Sequence, residues 1–387
     1  MVSDVSGAVN MVVRRQREFG GGARPGLAEW LRPPVNRWAF RHARELFWSE
    51  RVAATDPVAL PAASSAACVG PDFVDYLDRS RTDALVVLHD GAVAWEWYAQ
   101  GVEATDRHIL FSVSKSVVGL VASALIAAGV LDDGALVVDY VPEVAGSGYG
   151  TAKVRHLLDM SANIAFVEDY DGEDVRRYRQ ASGQLPSEGS VGIRDFVAQL
   201  GARGPHGEAT AYVSPTTDLA GWVCERVTGR SLAELISIHV WGPMGGEGDG
   251  DLLLDRFGTA RGSGGLCATA RDMARIGQLL LSNRGDAATM YADVKKPGDR
   301  QVWDRGSLAE FMPRATYRSF WYQPAPGVFL AAGIFGQRIY VDTVARVVIA
   351  QQASLPTAYD ELTWLETLPR FAGLTQSLST PDDTTPE

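Results

Sequence analysis

Lysine is nearly absent from this 387-residue chain. Only Lys115, Lys153, Lys295 and Lys296 occur, so arginine supplies almost all of the 36 basic residues. The acids number 47, the net charge is −11, and no long basic run interrupts the chain. Such a protein is a poor binder of nucleic acid or of an anionic membrane surface. Cysteine is just as scarce. Cys68, Cys224 and Cys267 are odd in number and far apart. That argues against a C-x-x-C zinc site or a disulfide framework and for small buried hydrophobes. The first residues, MVSDVSGAVNMVVRRQREFGGGARPG, lack a charged start followed by an apolar run. Neither a signal peptide nor a membrane span is expected, and the default location is the cytoplasm.

Several catalytic signatures are missing as well. There is no H-E-x-x-H, no G-x-x-x-x-G-K-[ST], no G-x-G-x-x-G and no G-x-S-x-G. Zinc protease, P-loop enzyme, dinucleotide-binding dehydrogenase and α/β-hydrolase all lose support. The six histidines are scattered, with no ligand-spaced pair. The expectation is that the protein holds no metal and no cofactor.

What is present is 46% hydrophobic sequence, enough for one large core or two smaller ones. Residues 1–30 read as a flexible N-terminal segment and 376–387, ending STPDDTTPE, as a disordered tail. ALVVLHDGAVAWEWY reads as two strands joined at Asp90-Gly91. SKSVVGLVASALIAAG is apolar nearly all round, the mark of a central helix. TARDMARIGQLLLSNRG is amphipathic, with Met273, Ile276, Leu279 and Leu280 on one side. GVFLAAGIF, QRIYVD and RVVIAQQ read as an antiparallel meander, and ELTWLETLPRFAGL as a closing helix. The order of strands, helices, strands and helix suggests a sheet domain, 31–115 and 250–375, interrupted by a helical domain over 116–249.

The central helix opens with FSVSKS, Phe111 to Ser116. Ser112 and Lys115 are three residues apart, so on a helix their side chains can meet. A chance S-x-x-K is expected in roughly one such chain in four, so the spacing alone is weak. Context strengthens it. A serine at a helix start has free backbone N–H groups beside it. A lysine inside an apolar helix is costly unless it has a task. The competing reading is a helix cap at Ser112 with Lys115 reaching solvent. About a hundred residues on, AYVSPTTD sets Tyr212 and Ser214 before another helix. Alone, Tyr212 reads as a core-packed loop tyrosine and Ser214 as a cap.

Together these segments resemble the serine β-lactamase and DD-peptidase-like hydrolases. The resemblance is nearest to the 6-aminohexanoate-dimer (nylon-oligomer) hydrolases and the family VIII carboxylesterases. It rests on PPVNRWAF, DRHILFSVSKS, EDY at Glu168 to Tyr170, YVSPTTD, GGLCATARDMARIG and GIFGQ at Gly333 to Gln337, in that order. It implies an α/β plus all-α architecture, the serine β-lactamase-like fold, with an antiparallel sheet flanked by helices and an inserted helical domain. It implies a cofactor-free serine hydrolase acting on a small-molecule ester or amide through an acyl-enzyme, with room for a homodimer. Ser112 would be the nucleophile, Lys115 its amine and Tyr212 the proton carrier. The backbone N–H groups of Ser112 and Gln337 would form the oxyanion hole. Tyr170, Ser214, Phe335 and Gly336 would meet substrate. A β-lactamase or DD-peptidase, and a non-catalytic binding protein on the same fold, are the competing functions.

The sequence departs from these relatives in two places. Phe335 stands where β-lactamases carry a lysine and nylon-type enzymes a histidine. Arg176-Arg177-Tyr178-Arg179 is basic where efficient nylon-dimer hydrolases place an acid. Esters are therefore expected to be cleaved better than β-lactams or the dimer. The acidic run Glu168 to Asp174 reads as a solvated loop.

Overall fold

Asp90 and Gly91 both adopt positive φ, +50° and +82°, the geometry of a tight hairpin whose twist matches its strands. They join β2 and β3 in a computed structural model that describes residues 26–379 other than 65, 66, 68, 187, 188, 190 and 282–284. Along the chain come α1 (Val35–Arg41), β1 (Ser49–Val52), α2 (Pro71–Arg79), β2 (Thr82–His89), β3 (Ala92–Tyr98) and β4 (His108–Ile109). Then follow α3 (Val113–Ala127), α4 (Glu173–Ala181), α5 (Ser214–Thr228), β5 (Gly250–Leu253), β6 (Leu266–Ala268) and α6 (Ala270–Gln278). The chain closes with β7 (Thr316–Arg318), β8 (Trp321–Ala325), β9 (Val328–Gly333), β10 (Gln337–Asp342), β11 (Val347–Ala353) and α7 (Glu361–Ser379).

Seven strands form one antiparallel sheet in the order β3-β2-β11-β10-β9-β8-β7. A smaller sheet runs β1-β5-β6-β4. The meander read from the sequence is β9-β10-β11. Helices cover both faces of the large sheet, which is why β2 and β11 are buried without alternation and apolar over Ala84 to Leu88 and Val347 to Ala350. Alternate residues of β10 show the division. Ile339 and Val341 join the core that holds α3 and α6, whereas Tyr340 joins Phe73, Tyr76 and Leu77 of α2 and Phe371 of α7. Apart from these strands, residues 116–249 carry helices and isolated bridges among the described positions.

Both ends of the chain differ from expectation. Residues 1–25 and 380–387 lie outside the described residues, as does Cys68. Trp30, assigned to the flexible segment, is fully buried, and its indole N–H donates to the Gln184 carbonyl at 3.2 Å. The anticipated tail starts too early, because α7 continues to Ser379. PPVNRWAF forms α1, where Asn36 Nδ2 donates to the carbonyls of Ser354 and Leu355. Cys224 and Cys267 are buried free thiols.

The central helix α3 is buried along almost its whole length. It is pressed against the segment before β8, with Gly119 at the contact. A Cβ there would sit 2.0 Å from the Ser319 carbonyl oxygen. Gly119→Ala should therefore destabilise the protein by about 3 kcal/mol, because backbone overlap outweighs the ~1 kcal/mol gain in helix propensity. Equilibrium denaturation checks this, and a stability equal to the parent's would mean that the helix does not pack on that carbonyl.

Candidate active site

The chain enters α3 through a sharp bend. β4 ends at Ile109, and Phe111 takes a left-handed φ of +44°. The N–H groups of Val113, Ser114 and Lys115 are then taken by the carbonyls of Leu110, Phe111 and Ser112. Ser112 occupies the cap position, yet its side chain caps nothing. Its Oγ accepts a hydrogen bond from Lys115 Nζ at 2.7 Å. Lys115 is 1% exposed, so the reading in which it reaches solvent does not describe this helix.

Lys115 Nζ also donates to the Ser263 carbonyl at 2.7 Å and lies 5.0 Å from the centre of the Tyr212 ring. Burial dominates its electrostatics and lowers its pKa from 10.5 to about 8. The nearby Glu168 and Asp218 carboxylates oppose that shift, and Arg261 adds to it. Asp218, on α5, accepts from Ser263 N at 2.8 Å and from the Tyr178 hydroxyl. Tyr178 Oη and Ser263 Oγ share a further hydrogen bond of 2.5 Å. Burial pushes Asp218 up to about 6. Glu168 accepts from Ser214 N at 2.8 Å and from Ser214 Oγ at 2.5 Å, and burial raises its pKa too. One buried amine thus sits among two reluctant carboxylates. Tyr212 behaves oppositely to the lysine: burial and neighbouring Tyr322 and Tyr170 push its hydroxyl well above the usual value. That hydroxyl has no hydrogen-bond partner among the described residues.

Opposite Ser112, the β9–β10 connection approaches at van der Waals distance. A Cβ on Gly333 would lie 3.1 Å from Ser112 N and 2.7 Å from the Leu110 carbonyl oxygen. Phe335 (φ +60°) and Gly336 (φ +95°) then reverse the chain into β10. Two of the left-handed residues, Phe111 and Phe335, pack on each other at 5.2 Å between ring centres, with Phe40 against both and Trp30 against Phe111. Ser112, Tyr170, Tyr212, Ile334 and Gly336 all border a cavity of about 1230 Å³.

The anticipated residues do not all meet there in the anticipated way. Gln337 is fully buried, pairs with Gly333 across the β9–β10 hairpin and spends its side-chain amide on the Ala353 carbonyl at 2.7 Å. It borders neither the cavity nor the small niche behind Ser112, whereas Ile334 borders both. The Phe335 ring turns into the aromatic cluster and is 3% exposed, so it offers the cavity no charge and little side-chain surface. Ser214 is tied to Glu168. Tyr170 lines the cavity, and its carbonyl accepts from Arg179 Nη1.

Other participants escaped the sequence reading. Of the acidic run, only Glu168 departs from the solvated reading, being tied to Ser214; Asp169, which accepts from Asp171 N, and Glu173, paired with Arg176, are exposed. The basic stretch divides: Tyr178 is buried on Asp218, Arg177 lies over Phe196, and Arg176 and Arg179 border the cavity. Asp218 was inside the quoted YVSPTTD, one helical turn after Ser214, and that spacing was its signal. No group of three metal-ligating side chains occurs among the described residues. No helix among them is long and apolar enough to cross a membrane.

Comparison with known proteins gives a consistent result. The family model described as Beta-lactamase matches residues 72–355. The chain is 33% identical over 349 residues to the 6-aminohexanoate-dimer hydrolase of Paenarthrobacter ureafaciens, covering 86% of this chain and 88% of that one. A solved Bacillus anthracis chain, provisionally designated a 6-aminohexanoate-dimer hydrolase, superposes with a TM-score of 0.79 at 25% identity, over 92% of this chain and 96% of its own. A family VIII carboxylesterase shares the fold, with a TM-score of 0.56 at 17% identity over 82% of this chain and 98% of its own.

The contact at Gly333 makes the site's geometry testable. In Gly333→Ala the added methyl must push the β9–β10 connection away from Ser112. Labelling of Ser112 by a fluorophosphonate should slow by about 100-fold, the usual consequence of an ångström-scale misplacement. An unchanged labelling rate would show that this connection does not set the geometry at the serine.

Proposed function

The chain belongs to the Beta-lactamase family and is a hydrolase, and from that premise we propose that Ser112 is the nucleophile of acyl transfer on carboxylic esters and small amides. The observation that carries this reading is the 2.7 Å hydrogen bond from a buried, pKa-lowered Lys115 to Ser112 Oγ. A neutral amine in that position can take the serine proton as Oγ attacks the carbonyl carbon. Lys115 is the base rather than Tyr212, because burial lowers the lysine toward neutrality and drives the tyrosine away from it.

The carbonyl electrons move onto oxygen, which is held by the backbone N–H groups of Ser112 and Ile334. Ile334 replaces Gln337 in this role because it borders the cavity at Ser112. As the carbon–oxygen or carbon–nitrogen bond breaks, Tyr212 gives its proton to the leaving group and receives the one held on Lys115. Water then attacks the acyl-enzyme by the same route in reverse, releasing the acid and returning the proton to Ser112. Tyr170 lines the substrate's path, and the Glu168–Ser214 and Asp218–Tyr178–Ser263 contacts fix the shell around the amine. The same base at the serine favours this reading over a binding protein without chemistry. The names of the relatives support an ester or amide substrate.

A fluorophosphonate should label a single residue, Ser112, and Ser112→Ala should lose nearly all ester turnover; a label on another serine would refute the assignment. The pH dependence follows from the base. Lys115 works only when neutral, so kcat/KM should rise about tenfold per pH unit below about 8 and level off above it. A profile flat from pH 6 to 9 would exclude Lys115 as the base. Treatment with EDTA should leave the rate unchanged, and a loss that zinc restores would mean the chemistry has been misassigned.

A further inference from the structure

Resting on that reading of the site, we propose that the niche behind Ser112 binds one small monovalent anion of halide size between Arg261 and Arg179, and that this anion inhibits the enzyme by keeping Lys115 protonated. Arg261 lies in the loop between β5 and β6, and Arg179 lies on α4. Both border the niche, as do Ser112, Lys115 and Glu168. Arg261 is 3% exposed, yet its Nε and Nη1 have no hydrogen-bond partner. Its Nη2 reaches the Gly264 carbonyl at 3.5 Å. Arg179 is half-buried and donates from Nη1 to the Tyr170 carbonyl at 3.2 Å. Among the described residues neither guanidinium forms an ion pair.

Two like charges around one buried space are unfavourable unless an opposite charge joins them. Burial lowers the pKa of both guanidinium groups, and Arg261 lowers that of Arg179 further. The nearby acids are committed elsewhere. Asp218 holds Ser263 N and the Tyr178 hydroxyl, and Glu168 holds Ser214 through both of its oxygens. Asp171 borders the large cavity but not the niche. Arg275, buried to a similar degree, reaches Glu247 instead. Although the whole chain carries −11, the charged groups bordering the niche are three bases and one acid. An anion there can accept from the free N–H groups of both arginines at once. The niche measures about 40 Å³. One water needs roughly 10–15 Å³, so the space suits a halide with a water beside it and excludes an acyl chain.

The position of the niche gives its occupant a hold on the chemistry. Lys115, hydrogen-bonded to Ser112 Oγ, is part of its wall. The titratable groups around that amine are Glu168 and Tyr170 ahead of α4, Tyr178 and Arg179 on α4, Tyr212 and Asp218 at α5, and Arg261. A bound anion adds a negative charge beside the amine. Protonated Lys115 is then favoured, and the free base becomes scarcer at a given pH. By reciprocity the anion binds more tightly to the protonated form, and raising the pH expels it. Inhibition is therefore strongest on the acid side of the lysine's transition and fades above it.

The test follows hydrolysis of a neutral ester, ethyl butyrate, by pH-stat from about pH 6 to 9.5. It compares sodium chloride with sodium gluconate, an anion too large for the niche, at equal ionic strength of about 0.2 M. In wild type, kcat/KM at pH 6.5 should be about fivefold lower in chloride and nearly equal at pH 9.5, which moves the midpoint up by about 0.7 pH unit. In Arg261→Met the two profiles should coincide. Because both salts are applied to one preparation, a loss of folded protein cancels. Crystals soaked in sodium bromide should show, by anomalous scattering, a bromide between Arg179 and Arg261 in wild type and in Ser112→Ala. Should Arg261→Met not fold, Arg179→Met takes its place and the bromide position in wild type decides. Sloping wild-type profiles that coincide in the two salts, a chloride effect that survives Arg261→Met, or a niche without bromide would each overturn the site. The nucleophile is judged separately. Retained turnover in Ser112→Ala refutes Ser112, whereas lost turnover with coincident wild-type profiles refutes only the anion site. A profile flat in both salts refutes Lys115 as the base, and the bromide position then decides the anion.

Discussion

A lysine amine held in the protein interior is the constraint around which the rest is arranged. Burying Lys115 disfavours its charged form, and two hydrogen bonds keep its nitrogen directed at Ser112 Oγ and the Ser263 carbonyl. Full exposure would leave it protonated at neutral pH. An apolar niche without Glu168 and Asp218 would lower it further. The carboxylates are buried as well, so each resists ionisation, and against their pull burial still lowers Lys115 to about 8. The contact between Lys115 and Ser112 thus depends on groups that never touch the serine.

The scaffold serves this arrangement by bringing together pieces far apart in sequence. α3 supplies Ser112 and Lys115, α5 brings Ser214 and Asp218, and the turn between β9 and β10 closes on the serine from the sheet. The helix is buried from nearly every side, so its direction is set by packing rather than by propensity. Close backbone contacts at Gly119 and Gly333 hold its two sides. Few side chains are left free to adjust, which suits a site that must hold atoms to within a fraction of an ångström.

Much of this was legible because its signals are local. Asp90-Gly91 announces a hairpin, the apolar run after FSVSKS announces a central helix, and three-residue spacing places Ser112 and Lys115 on one face. Short apolar runs separated by tight turns announce the antiparallel meander, whereas the whole sheet flanked by helices was what the resemblance to the β-lactamase-like hydrolases implied. Glu168 was misread because its burial comes from the approach of α5, some 46 residues away, and acidity alone says nothing of that. Tyr178 was hidden among arginines, since a tyrosine in a basic stretch carries no mark of the aspartate it will meet. Gln337 was chosen by its place after GIFG, but the two positive-φ residues before it turn the chain back into the sheet.

The aromatic cluster beneath the serine gives the molecule a second, separate point of failure. Trp30, Phe40, Phe111 and Phe335 form a hydrophobic cluster of their own, distinct from the main core around α3 and α6. Phe111 and Phe335, the left-handed residues beside Ser112, both belong to it. A small cluster of this kind can open at a lower free energy than the whole domain. Heating would then abolish catalysis in a sub-global step while the sheet and helices still hold their shape. Resistance to thermal inactivation is in that case a property of how the residues around Trp30 dock, and improving the main core would leave it unchanged.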